Sequence, residues 1–161
     1  MKVAGPACDI ASAWAEAVRC HGESLAIINY EDEKAYTYEE LHAAARVAGE
    51  RMRQAVASTS SALSSGGCPS KETCIVLCVA NGPSMVALIL ACALEAFFYV
   101  PVEIAKTPPG RLSFICKDSG ALALVGWRRD LPASASAAGA KLIAAEDLLA
   151  GCFGLPECGL P

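Results

Sequence analysis

The run MVALILACALEAFFYVPV, Met85 to Val102, constrains this chain most: eighteen residues apolar in character apart from Glu95. A span of the bilayer needs about 20 such residues. Glu95 falls near the midpoint, where an acid costs about 2.5 to 3.5 kcal/mol on insertion scales. No cluster of Lys or Arg flanks the run to set an orientation. Its character also changes along its length. Asn81-Gly82-Pro83 joins a turn to a helix start, whereas Phe97 to Val102 is aromatic and β-branched. The run is expected to be a buried helix followed by a strand, with no membrane partner.

The same alternation continues on both sides. Cys74 to Ala80 is apolar on both faces, as in a strand of a parallel sheet. Pro83 suits the first turn of a helix running to about Glu95. The strand FFYVPV follows, then a polar loop with Pro108 and Pro109. A helix RLSFICKDS closed by Gly120 leads into the strand ALALV. This β-α-β-α-β order predicts an α/β fold with a parallel, helix-covered sheet and right-handed crossovers.

Upstream, Asp9 can cap a first helix, with Ile10, Trp14 and Val18 on one face and Gly22 as its stop. Leu25 to Tyr30 and Lys34 to Tyr38 flank the polar EDE turn as a β-hairpin. Thr37 and Glu40 have capping-box spacing and start a second helix, expected to reach about Gln54. Its stripe of Leu41, Ala44, Ala45, Ala48 and Met52 faces the core. Residues 57–73, rich in Ser and Gly, read as a flexible loop. The expected organisation is a scaffold over 1–130, then 131–161 as a loop, a short strand and helix, and a poorly ordered tail.

Length and charge narrow the function. A chain of 161 residues suits one domain with one core. With 13 basic and 17 acidic residues it offers no electrostatic footprint for nucleic acid. The N-terminus has no sustained apolar segment of the secretory kind. Nine cysteines without such a signal read as reduced thiols of a cytoplasmic protein.

Several residues imitate sites. SSGGCPSK, Ser64 to Lys71, has the hydroxyls, glycines and lysine of a phosphate loop, but no strand immediately precedes it, and its composition is that of a linker. Cys74 and Cys78 lie about 13 Å apart along a strand and cannot share one metal ion. Cys152 and Cys158 are nearer to ligand spacing, with His21 and His42 distant in sequence; they read as ordinary thiols. Glu95 and Glu103 are expected at solvated positions rather than as an acid/base pair. Arg111 and Asp118 are expected to solvate the ends of one helix. Trp14 reads as a core anchor, His21 as a last-turn residue and His42 as an exposed one. No catalytic, cofactor-binding or metal residue is assigned.

Four segments resemble the adenylate-forming enzymes, which include acyl-CoA synthetases and the adenylation domains of nonribosomal peptide synthetases. YTYEEL, Tyr36 to Leu41, is similar to the first core motif of those domains, and FYVPVE, Phe98 to Glu103, to the second. CIVLCVANGPSMVALILACAL is similar to the strand, Asn-containing turn and apolar helix between them. Pro108 to Val125 resembles the next unit. Phe97 and Phe98 stand where the family has small residues, and Ile104 where it has proline.

The resemblance covers roughly Trp14 to Leu149. It implies a reaction in which ATP, with Mg²⁺, and a carboxylic acid give an acyl-adenylate and pyrophosphate, before the acyl group passes to a thiol such as CoA or phosphopantetheine. The family's phosphate loop, ribose-binding aspartate and catalytic lysine are not found in this sequence. The resemblance is therefore to the N-terminal portion of such a domain, expected to be silent alone and to need the rest of the domain as its partner. The alternative is an inactive stand-alone module that binds a protein through an exposed apolar face.

Overall fold

A computed structural model describes residues 9–30, 33–58, 73–131 and 139–153. The phosphate-loop mimic, most of the Ser/Gly-rich segment, the end of the tail and Cys158 lie outside the described residues.

Local chemistry sets the element starts. α1 (Ile10–His21) begins at Asp9, whose Oδ1 accepts from the Ser12 N–H at 2.6 Å. β1 (Leu25–Asn29) and β2 (Lys34–Thr37) pair antiparallel as the expected hairpin. α2 (Tyr38–Ala57) starts on the complete capping box: Thr37 Oγ1 accepts from Glu40 N–H at 3.2 Å, and the Glu40 carboxylate accepts from Thr37 N–H at 2.8 Å.

The parallel unit then follows in the expected order. β3 (Cys74–Cys78), α3 (Pro83–Leu94), β4 (Phe98–Pro101), α4 (Pro109–Asp118) and β5 (Ala123–Gly126) lead to β6 (Lys141–Ala144) and α5 (Ala145–Leu149). A 3-10 turn at Ile104–Lys106 precedes α4. The four-stranded sheet has the order β4-β3-β5-β6, all parallel.

Two cores result from the period of two along each strand. Ile75, Leu77, Ala123, Val125 and Ile143 face one side, where α2, α3 and α5 supply Ala48, Met52, Leu88, Ala91 and Leu148. Cys74, Val76, Cys78 and Leu124 face the other, where α4 supplies Leu112 and Cys116. The chain leaves β3 one way to reach β4, then crosses back past β3 to reach β5. That reversal puts α3 and α4 on opposite faces, as crossovers of a single hand require.

Pro101 is tolerated because β4 is an edge strand. Phe98 N–H donates to Thr73 O and Val102 N–H to Leu77 O. The even-numbered residues thus point their N–H groups at β3, and the proline nitrogen falls on the open side, where no ladder bond is lost.

Two expectations fail at α1. Trp14 is not a core anchor: no residue of α1 is buried, and Ile10 is 56% exposed. His42 is half-buried rather than exposed, because Trp14 lies over it and donates its indole N–H to His42 Nδ1 at 3.3 Å. A third fails at the end of α3. Glu95 is only partly solvated; it packs over Gly49 and stands 3.7 Å from Arg53 Nε.

Candidate functional site

In an open parallel sheet, a crevice forms outside the carboxyl ends of two neighbouring strands whose connections depart in opposite directions. Here those strands are β3, which continues toward β4, and β5, which continues toward β6. A crevice of about 630 Å³ lies there. Cys78, Val79 and Asn81 come from the end of β3, Val102 and Glu103 from the end of β4, and Trp127, Arg129 and Asp130 from beyond β5.

Its walls follow from local sequence. Gly126 ends β5 where a Cβ would sit 3.1 Å from Leu131 Cδ2 and 3.2 Å from Cys78 O, so glycine permits the close approach of the turn to β3. The turn after Trp127 is fastened from outside the crevice. Arg128 N–H donates to both Glu146 carboxylate oxygens at 3.0 and 3.1 Å, and its guanidinium meets Asp147 at 2.8 Å. α3 begins at the rim with Pro83 in its first turn and no side-chain cap.

The electrostatics are mixed. Arg129 Nε stands 3.6 Å from Asp130 Oδ2, and Glu103 pairs with Lys106 at 2.9 Å, all near the surface. Burial pushes the Cys78 thiol up to about 12, with the neighbouring Cys116 thiol adding to the effect, so it stays protonated at neutral pH. These groups can hold a ligand by shape, ring contact and charge. They supply neither an activated nucleophile nor a free base.

ATP and Mg²⁺ do not fit the residues present. A triphosphate needs converging donors and a counter-cation. The crevice offers one guanidinium against two carboxylates, and among the described residues no group of three His, Cys, Asp or Glu is placed to hold a metal ion.

The other singled-out residues are dispersed. Glu95 caps α3 and Glu103 follows β4, so the whole strand, about 10 Å long, lies between them, and they pair with different cations. Cys74, Cys78, Cys92 and Cys116 are buried free thiols; Cys152 is half-buried beside the first core. Arg111 and Asp118 are exposed on α4, and His21 ends α1. Trp127, Arg129 and Asp130 were not singled out by sequence reasoning. The signal was the Gly126-Trp127 step directly after a buried strand. A second, more apolar groove of about 560 Å³ lies between β2, α2 and residues 151–153, where Tyr36 and Phe153 meet edge to face at 5.1 Å. Among the described residues no helix is long and apolar enough to cross a membrane.

Comparison with known proteins agrees with this architecture. The family model for AMP-binding enzymes matches residues 14–151. The sequence finds no match among curated proteins. Among solved structures, o-succinylbenzoate CoA synthetase (MenE) from Bacillus subtilis, in complex with ATP and magnesium ion, superposes with a TM-score of 0.67 at 20% identity, over 85% of this chain and 33% of that one. The Klebsiella oxytoca NpsA N-terminal subdomain, bound to 3-hydroxyanthranilyl-AMSN, gives 0.65 at 17% identity, over 89% of this chain and 32% of that one. A further MenE structure in complex with AMP gives 0.66 at 20% identity, over 84% and 32%. The chain thus spans about a third of the length of these structures, and at such identities the likeness is one of fold. The match of the family model over most of its length places it: the chain belongs to the AMP-binding, adenylate-forming enzyme family.

Proposed function

We propose that this chain is the N-terminal part of an AMP-dependent synthetase or ligase that activates a carboxylic acid, amino or acyl, as an acyl-adenylate before transfer to a thiol. The carrying observation is the family match over 14–151, together with the β-α-β-α-β unit that places the four motif-like segments in order. In this reading residues 1–130, closed by β6 and α5, are scaffold. The groups that bind ATP and Mg²⁺ and orient the carboxylate belong to the remainder of the domain, which is the chain's partner. The MenE complex with ATP and magnesium supports the choice of nucleotide and metal for the assembled domain. The crevice at the carboxyl ends of β3 and β5 is the part of this chain that borders the ligand, because ligands of open α/β sheets settle at that edge. The six described cysteines are free, in keeping with a reducing cytoplasm.

Capture of the native protein with an antibody to residues 1–57 tests this. The captured material is weighed and assayed for carboxylate-dependent ATP–pyrophosphate exchange. Exchange that follows the captured chain, either in a longer polypeptide or in a complex, is the expected result. A species of 161 residues that brings no second chain and exchanges nothing over a panel of amino, fatty and aryl acids would sink the proposal.

A second reading, a stand-alone inactive module that binds a protein, is favoured by the apolar side chains left open. Phe98 on the edge strand is 62% exposed and Phe114 on α4 is 65% exposed. Recovery of an unrelated protein in the same capture, lost on Phe98→Ser with Phe114→Ser, would select it.

A further inference from the structure

α1 rests on both α2 and α3, and its hydrogen bonds to the rest of the fold are of two kinds. At its carboxyl end the backbone is tied to the start of α2: Glu39 N–H donates to Gly22 O at 3.0 Å and Tyr38 N–H to Ser24 O at 3.2 Å. Along its body no residue is buried. There, among the described residues, the side-chain hydrogen bond to another element is the one from Trp14 Nε1–H to His42 Nδ1. The Trp14 ring also lies on Tyr38, with centroids 5.3 Å apart. A neutral imidazole nitrogen accepts from an indole N–H. A protonated one is itself a donor, and indole nitrogen offers it no acceptor.

We propose that α1 is an acid-released arm: when a solvent proton binds His42 Nδ1 the bond to Trp14 is lost, and the helix pivots on Gly22–Ser24 away from α2 and α3.

The surroundings of His42 favour the neutral form. From α1 come Glu16, which is engaged by Arg19 and Cys20, and His21 at its end. From α2 itself come Tyr38, Glu39 and Arg46. α3 brings no charged residue, and its Cys92 thiol is turned to Met52. β1 brings none, β2 brings Lys34 and Tyr36, and α5 brings Glu146 and Asp147, both held by Arg128. Burial first, and the Arg46 charge second, hold the His42 pKa below its ordinary 6.5. The sign follows from linkage. With the folded pKa below the unfolded one, the docking contribution is complete above the ordinary value, is lost progressively as pH falls below it, and is gone below the folded value.

Hydrogen exchange of the full chain, corrected for intrinsic rates and compared between about pH 7.5 and about pH 5.5, reads the arm directly. His42→Gln is the control, since its amide oxygen accepts from Trp14 without titrating in this range. Exchange in Ile10–His21 is expected to rise roughly two- to ten-fold at the lower pH, the range set by loss of one hydrogen bond. Ala44–Met52 should stay protected, and the rise should vanish in His42→Gln. The proposal is overturned by α1 protection that does not change with pH, which would mean the imidazolium keeps its seat against the Trp14 ring. Equal opening in His42→Gln, or simultaneous opening of Ala44–Met52, would overturn it as well.

Discussion

Glu95 lies across Gly49: a Cβ at position 49 would stand 3.1 Å from Glu95 Cγ and 3.5 Å from Ala91 O. The glycine therefore lets α2 and α3 approach closely, and the carboxylate covers the gap while reaching toward Arg53. In an isolated helix, alanine would be more stable than glycine by about 1 kcal/mol. Here that gain is offset, because Glu95 must move to admit the methyl group. Gly49→Ala is expected to change stability by less than about 1 kcal/mol. Gly49→Leu, which cannot be accommodated by one side chain yielding, is expected to cost about 1 to 3 kcal/mol. In a Glu95→Ala background Gly49→Ala should become stabilising, so a double-mutant cycle by urea unfolding isolates the contact. Additive effects would show that the two residues are not coupled.

Immediately after Glu95, Ala96 has φ +57°, a left-handed conformation that suits glycine. This is the sharp turn from α3 into β4, just before Phe97 and Phe98. Ala96→Gly relieves the Cβ strain but adds freedom to the unfolded chain, and at a left-handed position the relief outweighs that freedom. The variant should gain up to about 1 kcal/mol. A fall in thermal midpoint would contradict the assignment.

The parallel unit was legible because its signals are local. Residues 74–79 are buried throughout and read as apolar on both faces, and Pro83 lies in the first turn of α3 as expected, whereas Pro109, read as loop, opens α4. The capping box at Thr37 and Glu40 formed as its spacing implied. What was not legible depends on packing between distant elements. Trp14 and His42 are 28 residues apart, and only the crossing of α1 over α2 makes them partners. Likewise the crevice requires the strand order. The sequence shows that β3 and β5 both end in small or apolar residues, but not that they are neighbours. The exposure of Phe98 and Phe114 also runs against composition, which would have buried them.

Thiol chemistry separates the cysteines by position. Cys92 is buried with its thiol pushed up to about 12 by desolvation, and Cys78 is raised to the same range; Cys116 is raised by the same cause. Cys20 is exposed on the last turn of α1. Among these four, iodoacetamide at neutral pH is expected to modify Cys20 alone in the folded protein, slowly because partial desolvation and its bond to Glu16 raise that thiol too. Denaturant should release the other three together, since they belong to the cores packed on the two faces of the sheet. Modification of Cys78 or Cys116 before Cys20 under native conditions would mean that the α4 face opens locally.

The β6–α5 unit is held to α2 by two cations that terminate helices. Arg51 Nη1 donates to the carbonyl oxygens of Asp147, Leu148 and Ala150 at 3.3, 3.0 and 2.8 Å, satisfying the end of α5. Lys141 Nζ donates to Ala55 O at 2.9 Å and to Ser58 Oγ at 2.7 Å, closing the end of α2. Each helix thus supplies the acceptor for a cation rooted in the other part of the fold, and each cation sits where a helix dipole favours it. Hydrogen bonds from charged donors contribute about 1.5 to 3 kcal/mol when buried, and these are partly exposed. Arg51→Met, which keeps the apolar stem, should therefore cost about 1 to 2 kcal/mol. Arg51→Lys should recover only part, because all three contacts come from the single Nη1 and the lysine ammonium falls one bond short of its position. The loss should appear first as faster hydrogen exchange in Ala145–Leu149, while Cys74–Cys78 keeps its protection. Uniform loss of protection in both segments would show instead that β6 and α5 unfold only with the whole sheet.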